Sequence, residues 1–225
     1  MASTLRWQNP YIERCESVPE RLLACMQGPP SDLEIQILRT QCAKFPRIIC
    51  EGCCGSGRHL LGLAARDPQT LCIGFELRYK RAFRTIEKSL EQGLDNVLVL
   101  RTDARSMPAL LPPASVAEVH INFPDPWDRK RWHKHRVLSP QFLDGVASLL
   151  REGGTFHYKT DHRECFDQAV AWLSHHPAFE TSLITYDLYE SPLAAANIKT
   201  EFESLFRSQS LPIMALVASR RPIID

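Results

Sequence analysis

Three observations predict an α/β protein built on a doubly wound, mainly parallel sheet. From Arg47 onward, short apolar runs alternate with longer stretches of helical periodicity. The first run leads into a glycine-rich turn, and each of five successive runs ends on a carboxylate or within three residues of one, at Glu51, Glu76, Asp103, Asp125 and Asp161. Such alternation favours parallel strands joined by helices, and these sheets bind ligands beyond the carboxyl ends of their strands.

The expected strands are Arg47 to Glu51, Leu71 to Glu76, Asn96 to Leu100, Val116 to Phe123 and Thr155 to Thr160. All are short apolar segments bounded by turn residues. Helical spacing covers Arg58 to Arg66, Arg78 to Gln92 and Ser139 to Leu150, with a further helix at about Glu164 to His175. Strands at about Thr181 to Leu188 and Ile213 to Ser219 close the chain. The Pro-dense stretches Gly28-Pro29-Pro30 and Pro108 to Pro113 read as loops. A short N-terminal helical arm, 1–43, is expected before the main domain, 44–225.

Composition narrows the function classes. With 225 residues, 44% of them apolar, one domain with a small appendage suffices. No apolar stretch approaches the roughly 18 residues of a membrane helix, and MASTLRWQNP lacks a secretory core, so a soluble cytoplasmic protein is expected. A net charge of +1 requires any nucleic-acid contact to come from a local cluster. Eight cysteines fall short of a disulfide scaffold and suit reduced thiols, most of them small buried hydrophobes.

The first strand runs into Glu51-Gly52-Cys53-Cys54-Gly55-Ser56-Gly57, with a helix from Arg58. Glycines there permit a sharp turn and close approach of backbone to ligand, next to a helix N-terminus. Glu76 ends the second strand, where an acid can accept from both hydroxyls of a ribose. A dinucleotide fingerprint needs a glycine at position 60, which is Leu60, and no Gly-Lys-Ser/Thr follows the turn. What survives is a nucleoside without pyrophosphate, the shape of S-adenosylmethionine. Asp103, after the third strand, is placed to meet its adenine edge. Cys50 and Cys53 form a CxxC, but no second pair completes a four-ligand set, and His157 and His162 read as strand and loop residues. No metal is expected.

After the fourth strand come Asn122-Phe123-Pro124-Asp125-Pro126-Trp127-Asp128 and then the run Arg129 to Arg136. Prolines on both sides of Asp125 restrict the backbone and hold one carboxylate in place. The run carries five basic residues in eight positions, interleaved with Trp132, His133 and His135, a pattern suited to phosphate contact with stacking.

These segments resemble the bacterial tRNA (guanine-N7-)-methyltransferases, a class I S-adenosylmethionine-dependent family. The resemblance rests on the glycine turn with Glu51, on Glu76, FPDPW at Phe123 to Trp127, RKRWHKHR, Tyr158-Lys159-Thr160-Asp161, and Asn197 to Glu203. It implies a Rossmann-like methyltransferase fold with an antiparallel C-terminal strand. It also implies that Glu51, Gly55, Gly57, Glu76, Asp103 and Asp125 line the methyl-donor side, Asp125 being the catalytic carboxylate. Arg129, Asp161, Thr200, Glu201, Phe202 and Glu203 would hold the guanine nucleotide. Arg131, Trp132, His133, Lys134, His135 and Arg136 would touch the RNA, a tRNA methylated at a guanine of its variable loop. Two positions depart from the family pattern: Cys53 stands at a glycine, and Arg129 where lysine is usual.

Guanine N7 carries a lone pair and no proton, so its attack on a methyl needs no obligatory base. A fixed acid such as Asp125 favours positive charge moving onto the base. Asp161 and Glu203 suit the N1 and N2 hydrogens of guanine, and Trp127 can stack on it. In duplex RNA, N7 faces a groove side chains cannot enter, so the base must be splayed out. Two competing readings are a catalytically weakened RNA-binding protein, suggested by Cys53, and a methyltransferase for a non-RNA substrate.

Overall fold

The computed structural model describes residues 9–23 and 30–222, so parts of the expected arm, including Gly28 and Pro29, lie outside the described residues. Among the described residues, eight strands form one sheet. They are β1 (Leu22–Leu23), β2 (Arg47–Gly52), β3 (Thr70–Phe75), β4 (Val97–Leu100), β5 (Val116–Asn122), β6 (Leu150–Thr160), β7 (Phe179–Thr185) and β8 (Met214–Arg220). Their order is β1-β4-β3-β2-β5-β6-β8-β7. Pairing is parallel from β1 to β6 and antiparallel at β6-β8 and β8-β7. The order reverses between β2 and β5, which opens a crevice at their carboxyl ends.

The helices are α1 (Tyr11–Glu16), α2 (Asp32–Ala43), α3 (Arg58–Arg66), α4 (Tyr79–Glu91), α5 (Met107–Leu110), α6 (Pro140–Leu149), α7 (Arg163–Ser174) and α8 (Glu201–Ser208). Alternate strand residues face opposite layers. Cys50, Ile73, Val119, Ile121, Phe156 and Leu216 pack with α2, α6 and α7, while Cys72, Val97 and Val99 pack with α3 and α4. Leu38 of α2 shares the first of these cores.

Several elements differ from the sequence reading: α5 (Met107–Leu110) overlaps the stretch expected to be a loop, β7 spans Phe179–Thr185 where Thr181 to Leu188 is expected, and three further differences have local causes. β6 begins at Leu150, because Gly153 turns the chain at φ +69° while pairing with β5 continues across an irregularity at Val116/Glu118. β1 is a two-residue edge strand, too short for any periodicity to reveal. α8 was missed although Thr200-x-x-Glu203 spells its start: the Thr200 hydroxyl accepts from the Glu203 amide, and the Glu203 carboxylate accepts from the Thr200 amide.

Gly57 sits at φ +85°, and a Cβ there would lie 2.5 Å from Thr85 Cγ2. Gly57→Ala therefore combines left-handed strain with overlap, and is expected to cost at least about 2 kcal/mol. The melting temperature should fall by at least about 4 °C; differential scanning calorimetry measures it.

Candidate active site

The crevice holds a cavity of ≈ 540 Å³ lined by Cys53, Glu76, Asp103, Phe123, Asp125, Trp127, His135 and Phe202, among others. One end is the glycine turn. Gly55 N donates to Glu76 Oε2 at 3.1 Å, and Arg78 N donates to Glu76 Oε1 at 2.8 Å. Burial pushes the Glu76 carboxyl up against the pull of these amides and of Arg81. A ligand diol would supply further donors to such a half-satisfied acid. α4 fixes the turn from below, with Thr85 Oγ1 donating to Gly55 O (3.1 Å) and Lys88 Nζ to Ser56 O (2.8 Å).

The donor residues fit an adenosyl ligand unevenly. Asp103 lines the cavity, but its carboxylate is gripped by the Arg105 guanidinium (2.5–3.0 Å) and accepts from the Arg105 amide. Burial raises the Asp103 carboxyl and Arg105 more than offsets this, so it lies below its usual range. Glu51 departs from the expectation that it faces the donor. It is 2% exposed, accepts from Asn122 Nδ2 at 3.0 Å and lies 3.1 Å from His59 Nδ1. It thus braces β2, β5 and α3 beneath the cavity.

Cys53 occupies the left-handed region at φ +59°, as do Gly55 and Gly57. A thiol-bearing residue there carries about 1–2 kcal/mol of strain. Burial, with the nearby acids, pushes the Cys53 thiol up to about 12, so it stays protonated at neutral pH. Cys53 is therefore a strained wall of the cavity and no nucleophile.

The other end is the Pro-Asp-Pro loop. Phe123 and Trp127, both at φ +48°, bracket Pro124-Asp125-Pro126. The loop is tied down by Phe123 N donating to Lys159 O (2.8 Å) and by Arg136 Nε donating to Pro126 O (2.7 Å). Arg136 is 8% exposed and also reaches Glu164 (3.2 Å) and Gln168 (3.0 Å). This corrects its expected RNA role: Arg136 is a loop brace. Asp125 itself is exposed at the cavity wall.

Arg129, Lys130, Arg131 and Lys134 remain exposed. Trp132 is flanked by cations, with the Arg129 and Arg131 guanidiniums 4.8 and 5.0 Å from its ring centroid. It meets Trp127 edge-on at 6.0 Å, and His135 contacts Trp127 at 5.2 Å. His133 Nε2 lies 3.4 Å from Asp128 O. The cationic run is therefore welded to the cavity through aromatic rings.

The late Thr-x-Phe-Glu divides. Phe202, 36% exposed, lines the cavity and stacks on Phe206, and Glu201 pairs with Lys88 at 3.1 Å. Glu203 is fully buried, held by Lys159 Nζ (3.1 Å), Tyr189 Oη (2.6 Å) and Asn197 Nδ2 (2.5 Å). Burial raises its carboxyl, but Lys159 and these hydrogen bonds bring it below the usual range. Glu203 and the buried cap Thr200 therefore build α8, with their side-chain oxygens engaged inside the protein, whereas the sequence reading has them contact guanine. Asp161 is exposed at the end of β6 and is not part of the cavity lining. Sequence reasoning missed Arg105, which answers Asp103, and Lys159, which answers Glu203. Arg105 stands two residues from Asp103, a common pattern, whereas Lys159 lies 44 residues from Glu203 and no local signal pairs them.

A mainly parallel sheet with an antiparallel β6-β8-β7 edge, a glycine turn and a following acid is the architecture of the Rossmann-like methyltransferases. Solved structures agree in fold: the 16S rRNA methyltransferase KamB superposes with TM-score 0.66 at 20% identity, covering 90% of this chain and 99% of that one. A 16S rRNA (adenine(1408)-N(1))-methyltransferase from Catenulisporales acidiphilia, solved with cosubstrate SAM, gives 0.58 at 16% identity, covering 87% and 95%. Residues 46–216 match a family described as putative methyltransferase. A tRNA (guanine-N(7)-)-methyltransferase of Lachnoclostridium phytofermentans is 35% identical over 74% of this chain and 77% of its own length. One from Listeria monocytogenes serotype 4b is 32% identical over 73% and 76%. The chain belongs to this methyltransferase family, on the branch of the tRNA (guanine-N(7)-)-methyltransferases.

Cys53→Gly removes the strain without removing a bond the turn needs. It is expected to stabilise the protein by about 1–2 kcal/mol, a melting rise of about 2–8 °C, and to preserve or tighten donor binding, which calorimetry and titration with S-adenosylmethionine read together.

Proposed function

We propose that the protein transfers a methyl group from S-adenosylmethionine to N7 of a guanine in the variable loop of tRNA. The single observation that carries this reading is that Glu76 with the glycine turn and Asp125 with Trp127 and Phe202 wall the same cavity. S-adenosylmethionine, when bound, supplies an electrophilic methyl on a sulfonium. Glu76 would accept from the ribose hydroxyls, Gly55 leaves open space beside the turn while Gly57 admits Thr85 behind it, and Asp103 would meet the adenine edge if Arg105 yields.

The base approaches from the opposite end. Trp127 and Phe202, each 36% exposed, offer apolar faces for a purine extruded from its stack. Asp125, fixed by its two prolines and by Arg136 through Pro126, faces the positive charge that develops on the ring when N7 is alkylated. No base is needed to accept a proton, so the residues contribute alignment and field. Arg129, Lys130, Arg131 and Lys134 would take backbone phosphates.

The deciding experiment is to incubate the protein and S-adenosylmethionine with unmodified tRNA and map the methylated guanines. A single 7-methylguanosine in the variable loop is expected. Binding of tRNA without methyl transfer would favour a non-catalytic RNA-binding role.

Asp125→Ala is expected to lower kcat by more than about tenfold with little change in tRNA affinity, measured by steady-state methyl transfer and filter binding. Four phosphate contacts predict a log–log salt slope of about −2.8 to −3.6, a loss of roughly 50- to 150-fold in affinity between 50 and 200 mM salt. Arg131→Ala should reduce the magnitude of the slope by about one. Arg136→Lys should leave the slope unchanged while lowering turnover.

A further inference from the structure

β5 and β6 are inner strands of the sheet, yet their face toward α3 is polar. Glu118, His120 and Asn122 of β5 alternate with the apolar Val119 and Ile121, and His157 and Lys159 of β6 lie beside them. Strands buried on both faces ordinarily read as continuous apolar runs, and buried polar groups are costly unless they are engaged. The opposite face of the same strands follows that rule.

We propose that Glu118, His120 and His157 form a binding site for one divalent transition-metal ion of the zinc class. Glu118 and His120 stand two residues apart on one strand and so point to the same side, and His157 is the direct cross-strand partner of His120. One donor atom from each lies within 4.8 Å of the others. Glu118 Oε2 is 2.8 Å from His120 Nε2 and 3.8 Å from His157 Nε2. Ligand atoms of a tetrahedral zinc site, with bonds of about 2.0–2.1 Å, are about 3.3 Å apart. The two imidazoles are stacked, with centroids 4.3 Å apart and planes 11° from parallel, so one ring must rotate about its side-chain torsions for both in-plane lone pairs to meet one ion.

The donor chemistry selects the ion. Two imidazoles and one carboxylate suit zinc, cobalt or nickel, whereas magnesium and calcium demand oxygen-rich cages. The three residues line a cavity of ≈ 330 Å³ with room for a water as fourth ligand. Two groups compete with an ion: Arg47 pairs with Glu118 Oε1, which leaves Oε2 for the metal, and Thr155 Oγ1 lies 2.8 Å from His157 Nε2. The Arg47 charge limits the affinity. This site does not share the lining of the methyl-transfer cavity and stands independently of the function proposed above. Its role is structural: the His59 ring is 5.1 Å from His120 and joins Glu51, so an ion here would stiffen the floor of that cavity.

The test is titration of the full chain, stripped with chelator, first with Zn²⁺ and then with Co²⁺ as a spectroscopic probe. One equivalent is expected to bind, with visible cobalt bands and no near-ultraviolet thiolate charge-transfer band. At a hundredfold excess over Kd, zinc should raise the melting temperature by roughly 5–10 °C. His157→Asn should weaken binding more than about tenfold, and Arg47→Gln should tighten it severalfold by freeing Glu118 Oε1. Absence of binding, a thiolate band from cysteine ligation, or unchanged affinity in His157→Asn overturns the proposal. Should His157→Asn not fold, unchanged or weaker binding by Arg47→Gln overturns it equally.

Discussion

The buried carboxylate of Glu51 is the constraint on which the rest depends. It takes one hydrogen bond from Asn122 at the end of β5, and its other oxygen meets His59 in α3. Burial alone would raise the Glu51 carboxyl. His59, Asn122 and the nearby His120 more than offset this, so it lies below its usual range and stays ionised. Removing either partner would leave one oxygen of this buried carboxylate unsatisfied, at a cost of about 1–3 kcal/mol or more. The glycine turn follows Glu51 directly, and Phe123 follows Asn122. One buried acid therefore fixes the two ends of the cavity relative to each other.

That rigidity explains how the cavity wall tolerates strain. Cys53, Phe123 and Trp127 all hold left-handed backbone without being glycine, and such conformations persist only where the surroundings over-determine them. Here the surroundings are named: the β3 carbonyl of Phe75 accepting from Cys54 N, the Lys159 carbonyl holding Phe123, and Arg136 holding Pro126. The charges accordingly divide into two groups. Arg136, Lys159, Glu203 and Glu51 are buried and held by partners within the protein, and they shape the site. Asp125 and the cationic run stay exposed, and they are the groups available to RNA and to the developing charge.

Much of this was legible in the sequence. α3 appears with the bounds its periodicity gives, and β2, β3, β5 and β8 lie within a residue or two of expectation, because apolar alternation and glycine turns are local signals. α8 was also legible, through its capping box, but its Thr and Glu were assigned to the ligand. A single residue type serves both purposes, and spacing alone does not separate a cap from a contact.

The sequence by itself determined the strand and helix order, the glycine turn, the acids at the strand ends and the proline-bracketed aspartate, since each depends on residues adjacent in the chain. Only the tertiary structure decided which of those acids face the cavity. Glu51 turns under it, Glu203 turns away, Arg136 becomes a brace, and Glu118, His120 and His157 gather on one face. Those outcomes depend on which distant side chain arrives within about 3 Å, for a buried charge must find its partner wherever the fold brings one.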